Sequence, residues 1–94
     1  MASSIGDGEE RRRAPRYRFI APLQLEDGSV GKSLDMSTGG IFLETYRSYP
    51  LGAMIRFSVV IHESVVQCRG SVVRAELQGG RFGIAVEFDR YEFT

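Results

Sequence analysis

Apolar and polar residues alternate along most of this chain, and a period of two indicates β-strands with one buried face. In residues 19–25 the apolar side chains fall at every second position, and the same alternation returns in residues 54–61 and 81–88. β-Branched and aromatic residues are frequent in these segments, as is typical of strands. The six predicted strands cover residues 19–25, 30–34, 41–45, 54–61, 65–77 and 81–88.

Turn-forming residues separate these strands and no segment has a helical period. The predicted turns and loops lie at residues 26–28, 35–40, 46–52, 62–64 and 78–80. Gly70 lies inside the long fifth strand, where a glycine commonly marks a bulge or a bend. The side chains expected to face the core include Phe19, Ala21, Leu23, Leu25, Ile55, Phe57, Val59, Ile61, Phe82, Ile84, Val86 and Phe88. Short strands at this spacing predict an all-β sandwich or barrel, and closure into a barrel would remove exposed edges.

Residues 1–16 do not share the alternation. They contain glycine, serine, acidic residues and an arginine run. Pro15 holds the residue before it in an extended conformation, so no helix is expected to pass through this point. A chain of 94 residues suits a single domain. We therefore expect a flexible N-terminal arm over residues 1–16 and one β-domain over residues 17–94.

The charges balance in number but not in kind. The chain has 12 Lys and Arg against 12 Asp and Glu, and Lys32 is the one lysine. A binder of long polyanions would be expected to carry net positive charge and several lysines. Arginine instead presents a planar fork that grips a phosphate or a base edge at two points and stacks on flat rings. The composition therefore favours a discrete anionic ligand.

No pattern in the sequence indicates catalysis, a metal site or a membrane segment. The one histidine, His62, falls in a predicted turn, and the one cysteine, Cys68, falls in a strand where a buried small side chain is expected. Residues 1–10 lack an apolar signal core, and no apolar run approaches the roughly 20 residues that cross a bilayer. We expect a cytoplasmic binding protein without a membrane partner, not an enzyme, and without a metal or cofactor.

An arginine run leads directly into the first predicted strand. Arg11, Arg12, Arg13 and Arg16 lie within six positions. In an extended chain Arg12 and Arg16 project on the same side. Two such guanidinium groups can each grip a phosphate or the O6/N7 edge of a guanine. By itself the run is equally compatible with a solvated basic arm.

A second polar segment follows the second predicted strand. Asp35 and Ser37 are two residues apart in a turn and offer a carboxylate and a hydroxyl on one face. A carboxylate complements the adjacent N–H donors on the Watson–Crick edge of guanine. Gly39 and Gly40 carry no side chains, which allows a ring or a phosphate to approach the backbone closely. An Asx or Ser turn that closes a hairpin is the alternative interpretation.

Taken together, these two segments resemble the signature of the PilZ domain family. That family has an R-x-x-x-R motif on an N-terminal loop, matched here from Arg12 to Arg16, and a [D/N]-x-S-x-x-G motif between strands, matched from Asp35 to Gly40. Residues 82–88 are similar to the closing strand of the family. The resemblance implies an all-β, six-stranded antiparallel β-barrel of the split-barrel type that binds cyclic di-GMP, with the arm closing over the ligand.

The resemblance also implies roles for individual residues. Arg12 and Arg16 would contact guanine and phosphate, and Asp35, Ser37 and Gly40 would hold the other guanine face and its surroundings. An arginine directly before the first motif, here Arg11, is typical of members that bind two stacked ligand molecules. Further candidate ligand contacts are Arg13, Gly39 and Arg74. Output would then pass to a downstream partner protein that the sequence does not identify.

Two other classes of function are weighed against this one. A small barrel that binds single-stranded nucleic acid would use the basic arm on phosphates, but zero net charge and the absence of tryptophan count against it, and no DNA or RNA partner is expected. A PilZ-like protein-interaction module without nucleotide binding is the other alternative. Such modules lack the arginine and [D/N]-x-S-x-x-G residues, which are present here.

Overall fold

Strands account for all the regular secondary structure described for this protein. A computed structural model describes the backbone of residues 15–93 and the side chains of residues 15–89. The strands are β1 (Tyr17–Arg18), β2 (Pro22–Leu25), β3 (Val30–Met36), β4 (Gly40–Thr45), β5 (Met54–Ile61), β6 (Ser64–Gln78) and β7 (Arg81–Phe93). The predicted all-β class is confirmed. Residues 15–93 contain no helix, and hence none that could span a membrane.

Six of the strands close into an antiparallel barrel. Around the barrel the neighbours are β3, β2, β5, β6, β7 and β4, and β4 pairs again with β3 to complete the circuit. The predicted six-stranded antiparallel barrel is therefore confirmed. The remaining strand, β1, lies outside this circuit and pairs with the C-terminal end of β3, where Tyr17 lies opposite Met36. This added strand carries the base of the N-terminal arm onto the barrel wall.

The first predicted strand is shorter than expected. The pattern predicts one strand over residues 19–25, whereas β2 begins only at Pro22. β1 precedes the predicted start, and both strands lie along β3 with a break over residues 19–21 between them. The buried Ser33 hydroxyl bridges this break, because its Oγ donates to the Phe19 carbonyl (2.5 Å) and accepts from the Ala21 N–H (3.0 Å). Period-two alternation does not reveal such an interruption, since the side chain that repairs it belongs to the neighbouring strand.

The core fills the inside of the barrel with the alternate residues of the strands. Its buried apolar members are Ala21, Leu23, Leu25, Ile41, Leu43, Ile55, Phe57, Val59, Val66, Cys68, Val72, Ile84 and Val86. Phe19, Ile61 and Phe88 pack against this cluster, as the alternation predicts. Phe82 is an exception: it is only half-buried and lies outside the cluster, because it stands near the end of the barrel, opposite the exposed Leu77.

Several strand ends differ from the prediction. Residues 35–40 are predicted as a turn, but β3 continues through Met36 and β4 begins at Gly40, so only three residues connect the two strands. The closing strand is predicted to end at residue 88 and instead continues to Phe93. It does so because β6 is long enough to pair with it throughout, with Val66 opposite Phe93.

The β5–β6 and β6–β7 strand pairs are each joined by a two-residue turn with positive φ angles. His62 and Glu63 have positive φ angles of 50° and 69°, and Gly79 and Gly80 have 57° and 85°. Two-residue hairpins need such left-handed backbone to match the twist of their strands. The β6–β7 register shifts at Gly70, but the extra residue there is Asp89 of β7. The extra residue within β6 is Val73, so the bulge predicted near Gly70 lies three residues further along that strand.

Candidate functional site

The base of the N-terminal arm meets the β3–β4 turn at one edge of the barrel. Pairing of β1 with β3 sets Arg18 opposite Asp35 and Tyr17 opposite Met36. Arg16, the residue before β1, is therefore placed beside the turn that contains Ser37. Backbone register alone brings the end of the first motif against the start of the second.

The Arg16 guanidinium joins the two motifs. Its Nε lies 2.7 Å and its Nη2 2.6 Å from the same oxygen, Oδ1 of Asp35, while Nη1 donates to Ser37 Oγ at 3.3 Å. The second carboxylate oxygen of Asp35, Oδ2, accepts no hydrogen bond from the side chains and backbone described here. Both partners of the ion pair are partly exposed, with 45% of the Arg16 and 37% of the Asp35 side chain accessible to solvent. The arrangement thus offers a carboxylate oxygen and guanidinium N–H groups to an incoming ligand.

The β3–β4 turn holds Ser37 in a fixed position. The Ser37 N–H donates to the Gly40 carbonyl (2.9 Å), and the Gly39 N–H donates to Ser37 Oγ (3.3 Å). On the β7 side, the Phe88 N–H donates to the Gly39 carbonyl (2.9 Å). Ser37 is buried at 6% exposure, and no buried side-chain N or O atom is unpaired in the part of the chain described. The serine therefore orients the turn and also accepts from Arg16.

Gly40 lies where two strands approach closely. It pairs with Glu87 of β7, and a Cβ atom built on it would lie 2.5 Å from the Val86 carbonyl oxygen. Real Cβ atoms essentially never come that close to a backbone oxygen. The absence of a side chain is thus required by the barrel itself. The sequence alone predicts only that a ligand can approach this glycine closely.

Arg74 lies in the same transverse row of the barrel wall as Asp35. Asp35 pairs with Phe42 on β4, and Phe42 pairs with Ala85 on β7. Ala85 in turn pairs with Arg74 on β6. Adjacent strands are roughly 4.8 Å apart, so this row spans about 14 Å. The Arg74 guanidinium carbon lies 5.3 Å from the centroid of the Phe42 ring, which extends over β7 toward it.

Phe42 is a residue that the sequence analysis missed. Its position is the outward-facing one in β4, between two buried neighbours, Ile41 and Leu43. The sequence does carry one signal for Phe42. It is a large aromatic residue at an outward position, seven residues after the candidate ligand carboxylate of Asp35. It becomes informative only when the β3–β4 register shows that Asp35 and Phe42 are opposite each other.

The structure adds no contacts to the site from the remaining candidate residues or from the reactive groups that it describes. Arg11, Arg12 and Arg13 lie outside the described residues. Burial raises the pKa of the Cys68 thiol to about 11, which keeps it protonated and unreactive at neutral pH. His62 lies exposed in the β5–β6 turn. Among residues 15–89, whose side chains are described, no group of His, Cys, Asp and Glu is arranged to hold a metal ion.

Comparison with known proteins adds one match. The family model of the PilZ domain matches residues 10–93, which is nearly the whole chain and includes both arginine and aspartate motifs. No curated protein matches the sequence.

Proposed function

Because this chain belongs to the PilZ domain family, whose members are cyclic di-GMP receptor and adaptor modules, we propose that it binds cyclic di-GMP and signals to a partner protein. One observation carries the proposal. A single arginine at the base of the arm, Arg16, contacts both Asp35 and Ser37 of the second motif. The site therefore joins the residue that precedes β1 to the start of the second motif on the barrel.

The chemistry of the site suits a guanine nucleotide. The Watson–Crick edge of guanine presents N1–H and N2–H donors side by side, and a carboxylate accepts from both. In our proposal Asp35 accepts these bonds, starting with Oδ2, which the contacts of Arg16 with Oδ1 leave accessible. Arg16 and Arg12 supply the complementary donors to phosphate oxygens or to guanine O6 and N7. Gly39 is half-buried and carries no side chain, so a ligand can approach the turn there, whereas the missing side chain of Gly40 makes room for the β7 backbone.

Ligand binding would exchange one set of contacts for another. An exposed ion pair such as Arg16–Asp35 contributes about 1 kcal/mol or less, so a dianionic ligand can rearrange it at little cost. The arm would then be ordered around the ligand by its arginines, and ordering of a segment is a common form of molecular switch. We propose that the changed arm, together with the barrel wall beside it, is the surface shown to the downstream protein in the bacterial cytoplasm.

The proposal includes the number of ligands. Arg11 precedes the first motif, and we propose that it supports a stacked pair of cyclic di-GMP molecules in each domain. Arg13 and Arg74 are further candidate contacts. The Arg11→Ala variant is then expected to bind one molecule where the unchanged chain binds two.

Calorimetric titration of the purified chain with cyclic di-GMP tests the proposal, with GTP and cyclic di-AMP as competing nucleotides. Saturable binding that prefers cyclic di-GMP is expected, and the Arg16→Ala variant is expected to lose it. Arg56→Ala is the matched control, because Arg56 also forms an exposed ion pair (3.5 Å, with Glu26) but lies on β5. If the folded chain shows no binding, the receptor function is wrong and a protein-interaction module is the better description.

A further inference from the structure

The outer wall next to the site carries an aromatic ring that neither motif includes. Phe42 has Asp35 as its cross-strand neighbour on β3 and Ala85 on β7. The next residue in this row is Arg74. The small side chain of Ala85 between them leaves room for the ring and the guanidinium group to meet above β7.

The Phe42 ring lies on a glycine. A Cβ atom at Gly83 of β7 would be 2.8 Å from Cζ of Phe42, so the ring occupies the space that any other residue at this position would fill. Gly83 is buried, while Phe42 itself is half-buried. The ring is thus supported from below by the barrel wall.

Arg74 is held by this ring and not by an acid. Its guanidinium carbon lies 5.3 Å from the ring centroid, within the range of a cation–π contact. Among the side chains described, Arg74 has no ion-pair partner, whereas Arg16, Arg47, Arg56, Arg69 and Arg81 each have one. A guanidinium group without a carboxylate partner keeps its N–H groups, and the side turned away from the ring, available for another molecule.

We propose that Phe42 and Arg74 form a stacking platform for a guanine ring of the bound ligand, an inference that rests on the proposed function. Asp35 recognises the edge of one base. The platform, which lies in the same row within about 14 Å of Asp35, contacts the face of a base. Cyclic di-GMP has two bases, which can meet the two positions together. Phe42 acts partly by direct contact and partly by positioning Arg74.

The platform and Asp35 then have different effects on selectivity. Every base has a π-face, so stacking is tolerant of the kind of base, and it contributes several-fold to more than a hundredfold in affinity for each base. Adenine lacks the adjacent N–H donors that a carboxylate recognises. Loss of the platform should therefore weaken guanine and adenine ligands alike, whereas loss of Asp35 should reduce the preference between them.

Substitution of Phe42 and fluorescence test the platform. We expect Phe42→Leu to weaken cyclic di-GMP binding at least fivefold, Arg74→Ala to do the same, and Phe42→Tyr to stay near the unchanged chain because it restores the ring. The matched control is Tyr46→Leu, since Tyr46 also has a cation–π contact, with Arg81 at 5.0 Å, at the far end of the same wall. Because the chain has four tyrosines but no tryptophan, Phe42→Trp adds a single tryptophan that can be excited selectively and whose emission a stacked guanine should quench.

The possible outcomes separate this inference from the function on which it rests. If the unchanged chain binds cyclic di-GMP and Phe42→Leu binds within twofold of it, the platform is wrong and the receptor function stands. Bound ligand that leaves the Phe42→Trp fluorescence unchanged would also overturn the platform while leaving the receptor function in place. If the unchanged chain does not bind cyclic di-GMP, both proposals fall together.

Discussion

The same short pattern, Asp-x-Ser, occurs at both ends of β3 and has a different structural context at each end. Asp27 and Ser29 lie in the β2–β3 turn just before the strand, and Asp35 and Ser37 lie where the strand ends. Both carboxylates are on the surface, and both serines are two residues further along. The two pairs differ in where their hydrogen-bond donors come from.

The first pair is satisfied by its own turn and the loop beside it. The N–H (2.9 Å) and the hydroxyl (2.6 Å) of Ser29 both donate to Oδ1 of Asp27. The Tyr49 hydroxyl donates to Oδ2 (2.8 Å), and the Arg47 guanidinium lies 3.5 Å from the same oxygen. The hydrogen bonds from Ser29, then that from Tyr49, lower the pKa of Asp27 to about 2. Both carboxylate oxygens are occupied, so this pair is a structural turn.

The second pair is satisfied from a distance. Oδ1 of Asp35 takes two N–H groups of Arg16, which is 19 residues earlier in the chain, and Ser37 Oγ takes a third. Removal of the arm would leave both groups without these partners. A carboxylate whose contacts come from one exposed side chain of a distant segment can exchange them for those of a ligand. The comparison shows that the source of the hydrogen bonds, more than the pattern itself, separates a turn from a site.

The largest expected effect is that the two aspartates act on different properties. Asp35 should determine ligand binding, and Asp27 should determine stability. Asp35→Ala should weaken cyclic di-GMP binding by about tenfold to a hundredfold, because a two-point contact with a base contributes about 1–3 kcal/mol. Its melting temperature should change little, since the Arg16–Asp35 pair is exposed. Asp27→Ala should do the reverse, with unchanged binding and a lower melting temperature. Calorimetry and thermal unfolding of both variants check this pair of expectations, and equal loss of binding in the two would contradict the comparison.

A second prediction uses the two glycines on either side of the same β3–β4 pair. A Cβ at Gly31 would lie 2.6 Å from the Glu44 carbonyl oxygen, and one at Gly40 would lie 2.5 Å from that of Val86. Each substitution to alanine should lower the free energy of unfolding by about 1–3 kcal/mol, because backbone must move to make room. Denaturant unfolding measures the loss.

The two glycine variants should differ in binding. Below their unfolding transitions, only Gly40→Ala should weaken cyclic di-GMP binding, because it alone displaces the turn that holds Ser37. If Gly31→Ala weakens binding as much, the effect belongs to the barrel as a whole and not to this end of it.

The smallest expected effect is a loss of stability at low pH that is caused by protonation of Asp27. Its pKa is lowered from an ordinary 3.8 to about 2 in the folded chain, so its stabilising contribution is complete above about pH 4 and is lost as the pH falls through about 2. Asp27→Asn removes this titration. Between pH 4 and pH 2 the melting temperature of the unchanged chain should therefore fall more steeply than that of Asp27→Asn. Parallel slopes would mean that the turn does not favour the ionised carboxylate.

Much of the barrel could be predicted from period-two alternation, because each strand buries one face. The core residues of β5 and β7 follow it almost throughout. Alternation could not reveal the break between β1 and β2, which depends on the Ser33 hydroxyl of a neighbouring strand. Nor could it place the ends of β3 and β7, since a strand continues for as long as its partner offers hydrogen bonds.

The two motifs of the site could be predicted from the sequence, but the other side chains that lie beside them on the barrel wall could not. Spacing along the chain identifies Arg16, Asp35 and Ser37, and the register of β1 against β3 then brings them together. Phe42 could not be placed beside Asp35 without that kind of register information. The bulge between Ser33 and Asp35 shifts the pairing by one residue, and such a shift decides which side chains are neighbours.

Amide chemical shifts recorded during a titration with cyclic di-GMP test the difference between the two ends of β3 most directly. The Ser37 and Gly39 amides both belong to the turn at the candidate site, and the Ser29 amide donates to Asp27 at the other end. If the site is at the Asp35 end, the Ser37, Gly39 and Gly40 signals shift with saturation while the Ser29 signal stays in place. Shifts at Ser29 with none at Ser37 would contradict this, and would place the ligand at the turn that we consider structural.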